Sequence, residues 1–482
     1  MKRTLLILLL LLAVCVGVPM LVVAGFYGYE NWTGAADWRR VEAALKADGE
    51  PLSADALRPK PVPDAENMAA APIFRELFTY YNPRRASVYD VKLPPPAGSG
   101  GPVDNAALIA LARRFQPGFN GDAATAAAVV LEGLAPLEPL LEAIRQAAAR
   151  PDSVWPAHDA RGPAVPAMFL SPLRHTSEVL AARASASVAD QRPASALADF
   201  DLITRLSARS NDPPMLAACY AGQTMLGYAL DIVADGLAQG AWSDDALNEI
   251  ETKLAGFHPL ADFREAVRGE RALFLTSPGS LPARAEAIFT FVDDRTPAAQ
   301  WITRTLSWLT WNLRPSGWDL RDRARYATFT QDWLSLVIHN GFVRPWALAE
   351  WQARLTDIRR NPLEFFRTPL TVLVLPTFAN TARSAAYMQA RLDFTQLACA
   401  IEHYRRATGG VPASLDELSP RWIKAVPRDV VGGGRYFYRA TGPTTYTLYG
   451  RGWNARDDGG SGAHANLLLG PSTADDWVWT PR

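Results

Sequence analysis

Net charge is the first thing this sequence lacks. Lys and Arg number 49, and so do Asp and Glu. No global field therefore draws the chain toward polyanions, and nucleic acid is not an expected partner. Cysteine is scarce, at three in 482 residues, and no Cys-x-x-Cys occurs. A thiolate zinc site is not expected. Cys15 lies within the N-terminal apolar run. Cys219 and Cys399 sit in helix-like apolar contexts and read as buried small hydrophobes, with a disulfide between them as the alternative in an oxidising compartment. Catalytic signatures are missing as well. The six histidines form no His-x-x-x-His or His-Glu-x-x-His pair. No Gly-x-Ser-x-Gly elbow or Walker loop is present. Gly432-Gly433-Gly434 precedes a strand pattern, without the helix a phosphate loop needs. His403, beside Glu402 on an amphipathic stretch, reads as a satisfied histidine.

What is present is apolar material: 49% of the chain, including 15 Trp. That suffices for real cores, and the length favours two or three folded units. The chain opens Met1-Lys2-Arg3 and then carries no charge from Thr4 through Tyr29. As a helix this run spans roughly 39 Å, more than the ~30 Å hydrocarbon core of a bilayer. Basic residues before the run place the N-terminus in the cytoplasm, and Phe26, Tyr27, Tyr29 and Trp32 mark the far interface. The expectation is a single-pass anchor over residues 4–29 in the inner (cytoplasmic) membrane, with the body extracytoplasmic. The rival readings are a signal peptide cleaved after Val22-Val23-Ala24 and a lipoprotein attached at Cys15. Thr368–Phe378 is apolar but only 11 residues long, and reads as core.

The body divides by pattern into 1–29, the cytoplasmic tip and anchor; 30–103, an extended and helical linker; 104–383, a helical domain; and 384–482, a small α+β domain. Ala36–Lys46 is amphipathic through Trp38, Val41 and Leu45. The Pro94–Gly101 stretch is the clearest loop. Helices are predicted over Ala123–Ala149, broken near Pro136–Pro139, and over Thr176–Val188, Pro193–Ala208 and Pro214–Gln239. Ser243 is the predicted N-cap of a helix to Leu254. No repeat period emerges, so the expected fold is mainly α: an irregular, α-solenoid-like helical array with a small antiparallel sheet at the end. Trp301, Trp308, Trp311, Trp318, Trp333 and Trp346 crowd one region. They read as core packing, with an aromatic groove as the alternative.

The tail has its own signature. A helix over Ala385–Ala407 meets Gly409-Gly410-Val411-Pro412, a helix stop. A Leu415–Leu418 turn, Pro427-Arg428-Asp429-Val430-Val431-Gly432 and a predicted hairpin of 436–439 with 444–449 follow. The chain then runs Gly452-Trp453-Asn454-Ala455-Arg456-Asp457-Asp458-Gly459-Gly460. In this order the last ~95 residues resemble the C-terminal domain of type II secretion major pseudopilins. Departures are Val430 where that family has Pro, about 380 preceding residues, and no prepilin leader directly before the tail. The whole layout also resembles membrane-anchored proteins of Planctomycetes and Verrucomicrobia, a likeness that implies no activity. Asn454, Asp457, Asp458 and Asp476 offer hard oxygen donors of the kind calcium takes, and the pseudopilin likeness implies a calcium loop here. The alternative is an Asx/Gly turn with solvated carboxylates. The functional expectation is a membrane-anchored extracytoplasmic scaffold or partner-binding protein of no specified role, with an envelope protein as the candidate partner. Alternatives are an envelope hydrolase with a dispersed site and a pseudopilus-associated component.

Overall fold

A computed structural model describes residues 13–57, 59–74, 105–155, 170–211, 214–276, 313–462 and 475–479. In chain order the helices are α1 (Val18–Ala47), α2 (Asn105–Phe115), α3 (Ala123–Leu134), α4 (Glu138–Ala148), α5 (Leu170–Ala189), α6 (Pro193–Ala208) and α7 (Leu216–Ala238). There follow α8 (Asp244–Leu254), α9 (Pro259–Thr276), α10 (Ser316–Leu336), α11 (Pro345–Arg360), α12 (Pro362–Arg367), α13 (Pro369–Val374) and α14 (Thr377–Thr408). The strands are β1 (Ile338–His339), β2 (Phe342–Val343), β3 (Phe437–Ala440), β4 (Tyr446–Gly450) and β5 (Trp477–Trp479). The fold is thus mainly helical, with a small antiparallel sheet, β3-β4-β5, near the C-terminus. Trp301, Trp308, Trp311 and the Pro94–Gly101 loop lie outside the described residues, as do residues 4–12 of the expected anchor.

The chain folds as two compact units, each drawn from three separated stretches. The first takes in Met1–Ala56, Arg271–Trp333 and Glu350–Thr377. Its α1 leaves Val18, Met20, Leu21, Val22, Val23 and Phe26 exposed, then buries Glu30, Gly34 and Leu45. The helix does not stop where the apolar run stops. Past that run, α1 packs against the start of α10. A Cβ built on Gly34 would sit 2.0 Å from the Gly317 carbonyl oxygen, so only glycine permits this approach. Asn31 Oδ1 accepts from the Gly317 amide at 2.8 Å, satisfying a free N–H at the α10 N-terminus. Behind this seam Phe274 stacks on Tyr326 with centroids 3.8 Å apart. Trp351 donates its indole N–H to the Phe329 carbonyl at 3.0 Å, which is how a fully buried Trp satisfies its polar handle. Thr368, Thr371, Val372 and Leu375 are buried, in keeping with the core reading of that apolar stretch.

The second unit comprises Leu57–Glu270, Leu334–Ala349 and Phe378–Arg482. α5, α6 and α7 pack on one another, and Ala, Ser and Gly along α5 and α7 let the backbones approach. The α5–α6 hairpin turns at Gln191, whose φ is 58°. Ser243 caps α8 by accepting from the Ala246 amide at 3.2 Å, as its position before two acids predicts. Among the described residues one helical stretch, Ala123–Ala148, is long and apolar enough to cross a membrane. Its Ala126, Ala127, Val130, Leu134, Leu141 and Ile144 are buried, while Glu132, Glu138 and Glu142 face out. That is the pattern of an amphipathic core helix. Cys219 and Cys399 are both buried and free, so the disulfide alternative gives way to the plain hydrophobic one. β1 and β2 form a hairpin through Asn340 and Gly341, both at positive φ, the geometry an Asn-Gly pair favours.

Candidate functional site

Two neighbourhoods in the C-terminal module gather ionisable groups. The module is set by α14, which ends at Gly409 with φ 85° and its N–H on the Arg405 carbonyl at 2.8 Å. The Val411 amide then reaches the Pro443 carbonyl at 3.0 Å, tying the Gly-x-x-Pro turn to the β3–β4 connection. β3 and β4 pair with Tyr438 opposite Leu448, and β5 adds to β4 with Trp479 opposite Leu448.

The first neighbourhood is a buried carboxylate network. Asp429 is fully buried in the loop before β3. Its Oδ1 accepts from the Val431 amide and its Oδ2 from the Arg451 amide, each at 3.0 Å. Burial pushes this carboxyl up to about 6 against those two hydrogen bonds. The loop is further held by β2, where the Val343 amide donates to the Val430 carbonyl at 2.8 Å and the Gly432 amide to the Val343 carbonyl at 3.0 Å. Asp393 projects from the buried side of α14. It accepts from the Tyr436 hydroxyl at 2.6 Å and from Gln389 at 2.9 Å. Burial pushes it up to about 7, and burial with the facing Asp393 charge drives the Tyr436 hydroxyl well up. A cavity of about 460 Å³ lies beside this network, with Ser414, Asp416, Arg428, Arg435, Tyr436 and Tyr438 in its wall. Neither Asp393 nor Asp429 lines it, and Asp416 pairs with Arg435 at 2.8 Å.

Sequence reasoning quoted Asp429 only as part of a loop motif and missed Asp393 altogether. The available signal for Asp393 was an acid set between Leu392 and Phe394 on an amphipathic helix. His403, read as a satisfied histidine, stacks on Trp422 at 12° and lies 3.7 Å from a Glu251 oxygen. Burial lowers the imidazole and raises Glu251 to about 7.

The second neighbourhood holds all four expected metal ligands. Gly459 and Gly460 have φ of 74° and 76°, and this left-handed pair turns the loop back toward the strand end. Asp476, 2% exposed, accepts from the Asp458 amide at 2.9 Å and the Gly460 amide at 2.8 Å, both on Oδ2. Its Oδ1 is buried with no hydrogen-bond partner among the described residues. Asn454 Nδ2 donates to Asp458 Oδ2 at 2.7 Å. Asp457 Oδ1 accepts from the Gly459 amide at 3.0 Å and the Tyr449 hydroxyl at 3.2 Å. Burial raises the Asp476 carboxyl; the two amides oppose this, and the charges of Asp458 and Asp457 add to it. The structure therefore brings Asn454, Asp457, Asp458 and Asp476 into one loop cluster. Within it, Asx turns do part of what an ion would do. Among the described residues no three acid, His or Cys side chains converge on one point.

Compared with protein-family models, curated proteins and solved structures, the chain matches none.

Proposed function

We propose that this chain is a membrane-anchored extracytoplasmic scaffold that presents its C-terminal module to a protein partner in the cell envelope. The observation that carries this reading is the composition of α1. One unbroken helix has an exposed apolar half and then a half locked by ion pairs into a folded unit. Glu30, the first charge after the apolar run, is 1% exposed. It accepts from Trp318 at 2.9 Å and Arg321 at 2.7 Å, and it pairs with Arg367. Burial alone would raise the Glu30 carboxyl; hydrogen bonds from Arg367 and Trp318 and the charges of both arginines outweigh it and hold the carboxyl below its usual range. A flexible tether needs no such lock, whereas a scaffold that must hold its body at a set height does. The test is carbonate extraction of membranes, with protease added to spheroplasts. Retention in the pellet with the body digested from outside is expected; release by carbonate would sink the reading.

Calcium belongs to the same proposal. The fit rests on Asp476 Oδ1, buried with no hydrogen-bond partner among the described residues, and on the charges of Asp458 and Asp457 that act on that carboxyl. Asn454, Asp457, Asp458 and Asp476 would hold the ion, with backbone carbonyls completing a shell of six to eight oxygens. The ion would neutralise the cluster and pin the loop to β5. Calorimetry on the detergent-solubilised chain should give binding that Asp457→Ala/Asp458→Ala abolishes. Absence of heat at millimolar calcium would leave the loop as a plain Asx/Gly turn. The pseudopilin likeness is one of fold in the tail, since element order rather than any activity supports it. A hydrolase would need shifted carboxylates facing a pocket. Asp393 and Asp429 are shifted, but their oxygens are occupied in holding Tyr436, Gln389 and two backbone amides.

A further inference from the structure

The level at which α1 is locked assigns a second membrane contact. α12 is short and two-sided. Glu364 and Arg367, one turn apart, face the arginine cluster: Glu364 pairs with Arg325 at 3.2 Å and with Arg367 at 2.8 Å, and Arg367 reaches Glu30. Leu363 and Phe366, also one turn apart, share the adjoining face, at 44% and 53% exposure. Arg367 touches the first residue beyond the apolar run of α1, so α12 stands at the height where that helix would leave the bilayer. A second segment converges on the same height. The Tyr27 hydroxyl donates to the Leu313 carbonyl, and Leu313 is 65% exposed. Arg359 and Arg360 are exposed at the end of α11, directly before α12. Large apolar side chains flanked by arginines, beside an anchor's exit, form the pattern of an interfacial element.

We propose that α12 and Leu313 rest in the headgroup–acyl boundary of the leaflet from which α1 emerges, with Arg359 and Arg360 on lipid phosphates. The first unit then has a foot as well as a stalk, and its tilt on the bilayer is set. This inference rests on the anchor reading above, and the test separates the two.

The test is spin-label depth measurement on the full chain in nanodiscs of mixed zwitterionic and anionic phospholipid. Cys15→Ser leaves Cys219 and Cys399, both buried. Labels enter singly at Leu21→Cys for the anchor, Phe366→Cys for the foot and Asp48→Cys as a control. Asp48 is exposed and 18 residues beyond Glu30, roughly 27 Å along a helix. The expected result is mid-bilayer oxygen accessibility at 21, water-soluble nickel accessibility at 48, and a depth about 5–10 Å into the boundary at 366. A label at 366 that behaves as the one at 48, while 21 stays in the bilayer, overturns the foot and leaves the anchor. A label at 21 in water overturns both. Loss of both accessibilities at 366 means that protein covers the face, and also overturns the foot.

Discussion

Asp429 uses both carboxylate oxygens on backbone amides, one from its own loop and one from the strand end at Arg451. Asp429→Ala should leave those amides unsatisfied, at about 1–3 kcal/mol for each. Faster hydrogen exchange of the β3 and β4 amides is the measurement. Asp429→Asn keeps one acceptor and should fall between. Asp393 gives a pH signature. Its folded value of about 7 lies above the ~3.9 of an unfolded Asp, so the folded state binds its proton more tightly. Its contribution is greatest below about pH 4, falls by up to ~1.4 kcal/mol per pH unit, and levels off above about 7. Exchange protection of the sheet, corrected for the intrinsic exchange rate, should therefore weaken from about pH 4 to 7, and Asp393→Asn should flatten that slope; an unchanged slope would mean that another group titrates. Charges that lie along the sequence were legible. A buried acid whose partner comes from another element was not, because Tyr436 and Asp393 are 43 residues apart.

At the scale of elements, periodicity and capping carried most of the information. The α6 helix begins at Pro193 and ends at Ala208 as its pattern predicts, and Ser243 caps α8. The β3–β4 hairpin forms within two residues of its expected ends. The β1–β2 hairpin was missed, although Asn340-Gly341 is a strong turn signal, because its strands are only two residues each. Gly34 was equally unmarked. In the sequence it is one more helix-weakening glycine, and only the facing Gly317 carbonyl gives it a purpose. Gly34→Ala should force α1 and α10 apart at a cost of about 1–3 kcal/mol. The expected readout is earlier proteolytic cleavage within α12, whose Arg367 depends on Glu30 staying in place; unchanged cleavage would show that the seam tolerates a methyl.

For the whole molecule, the buried thiols offer a readout. Burial pushes both Cys219 and Cys399 up, so neither forms a thiolate at neutral pH. In the native membrane-bound chain a water-soluble thiol reagent should react with none of the three, Cys15 lying within the proposed anchor, and with all three after denaturation in detergent. Early reaction of Cys399 would show that α14 opens before the rest. The sequence by itself determined what local physics controls: the mainly helical character, the helix ends set by caps and glycine stops, the terminal hairpin and the loop that gathers Asn454, Asp457 and Asp458. The tertiary structure alone decided which three stretches of chain assemble each unit, and that the second oxygen of Asp476 is left without a partner among the described residues. It also decided that the first charge after the apolar run is locked by arginines almost 300 and more than 330 residues away. Backbone preference and hydrophobic period act over a few residues, whereas closing loops of that length is settled by which buried surfaces and charges fit one another.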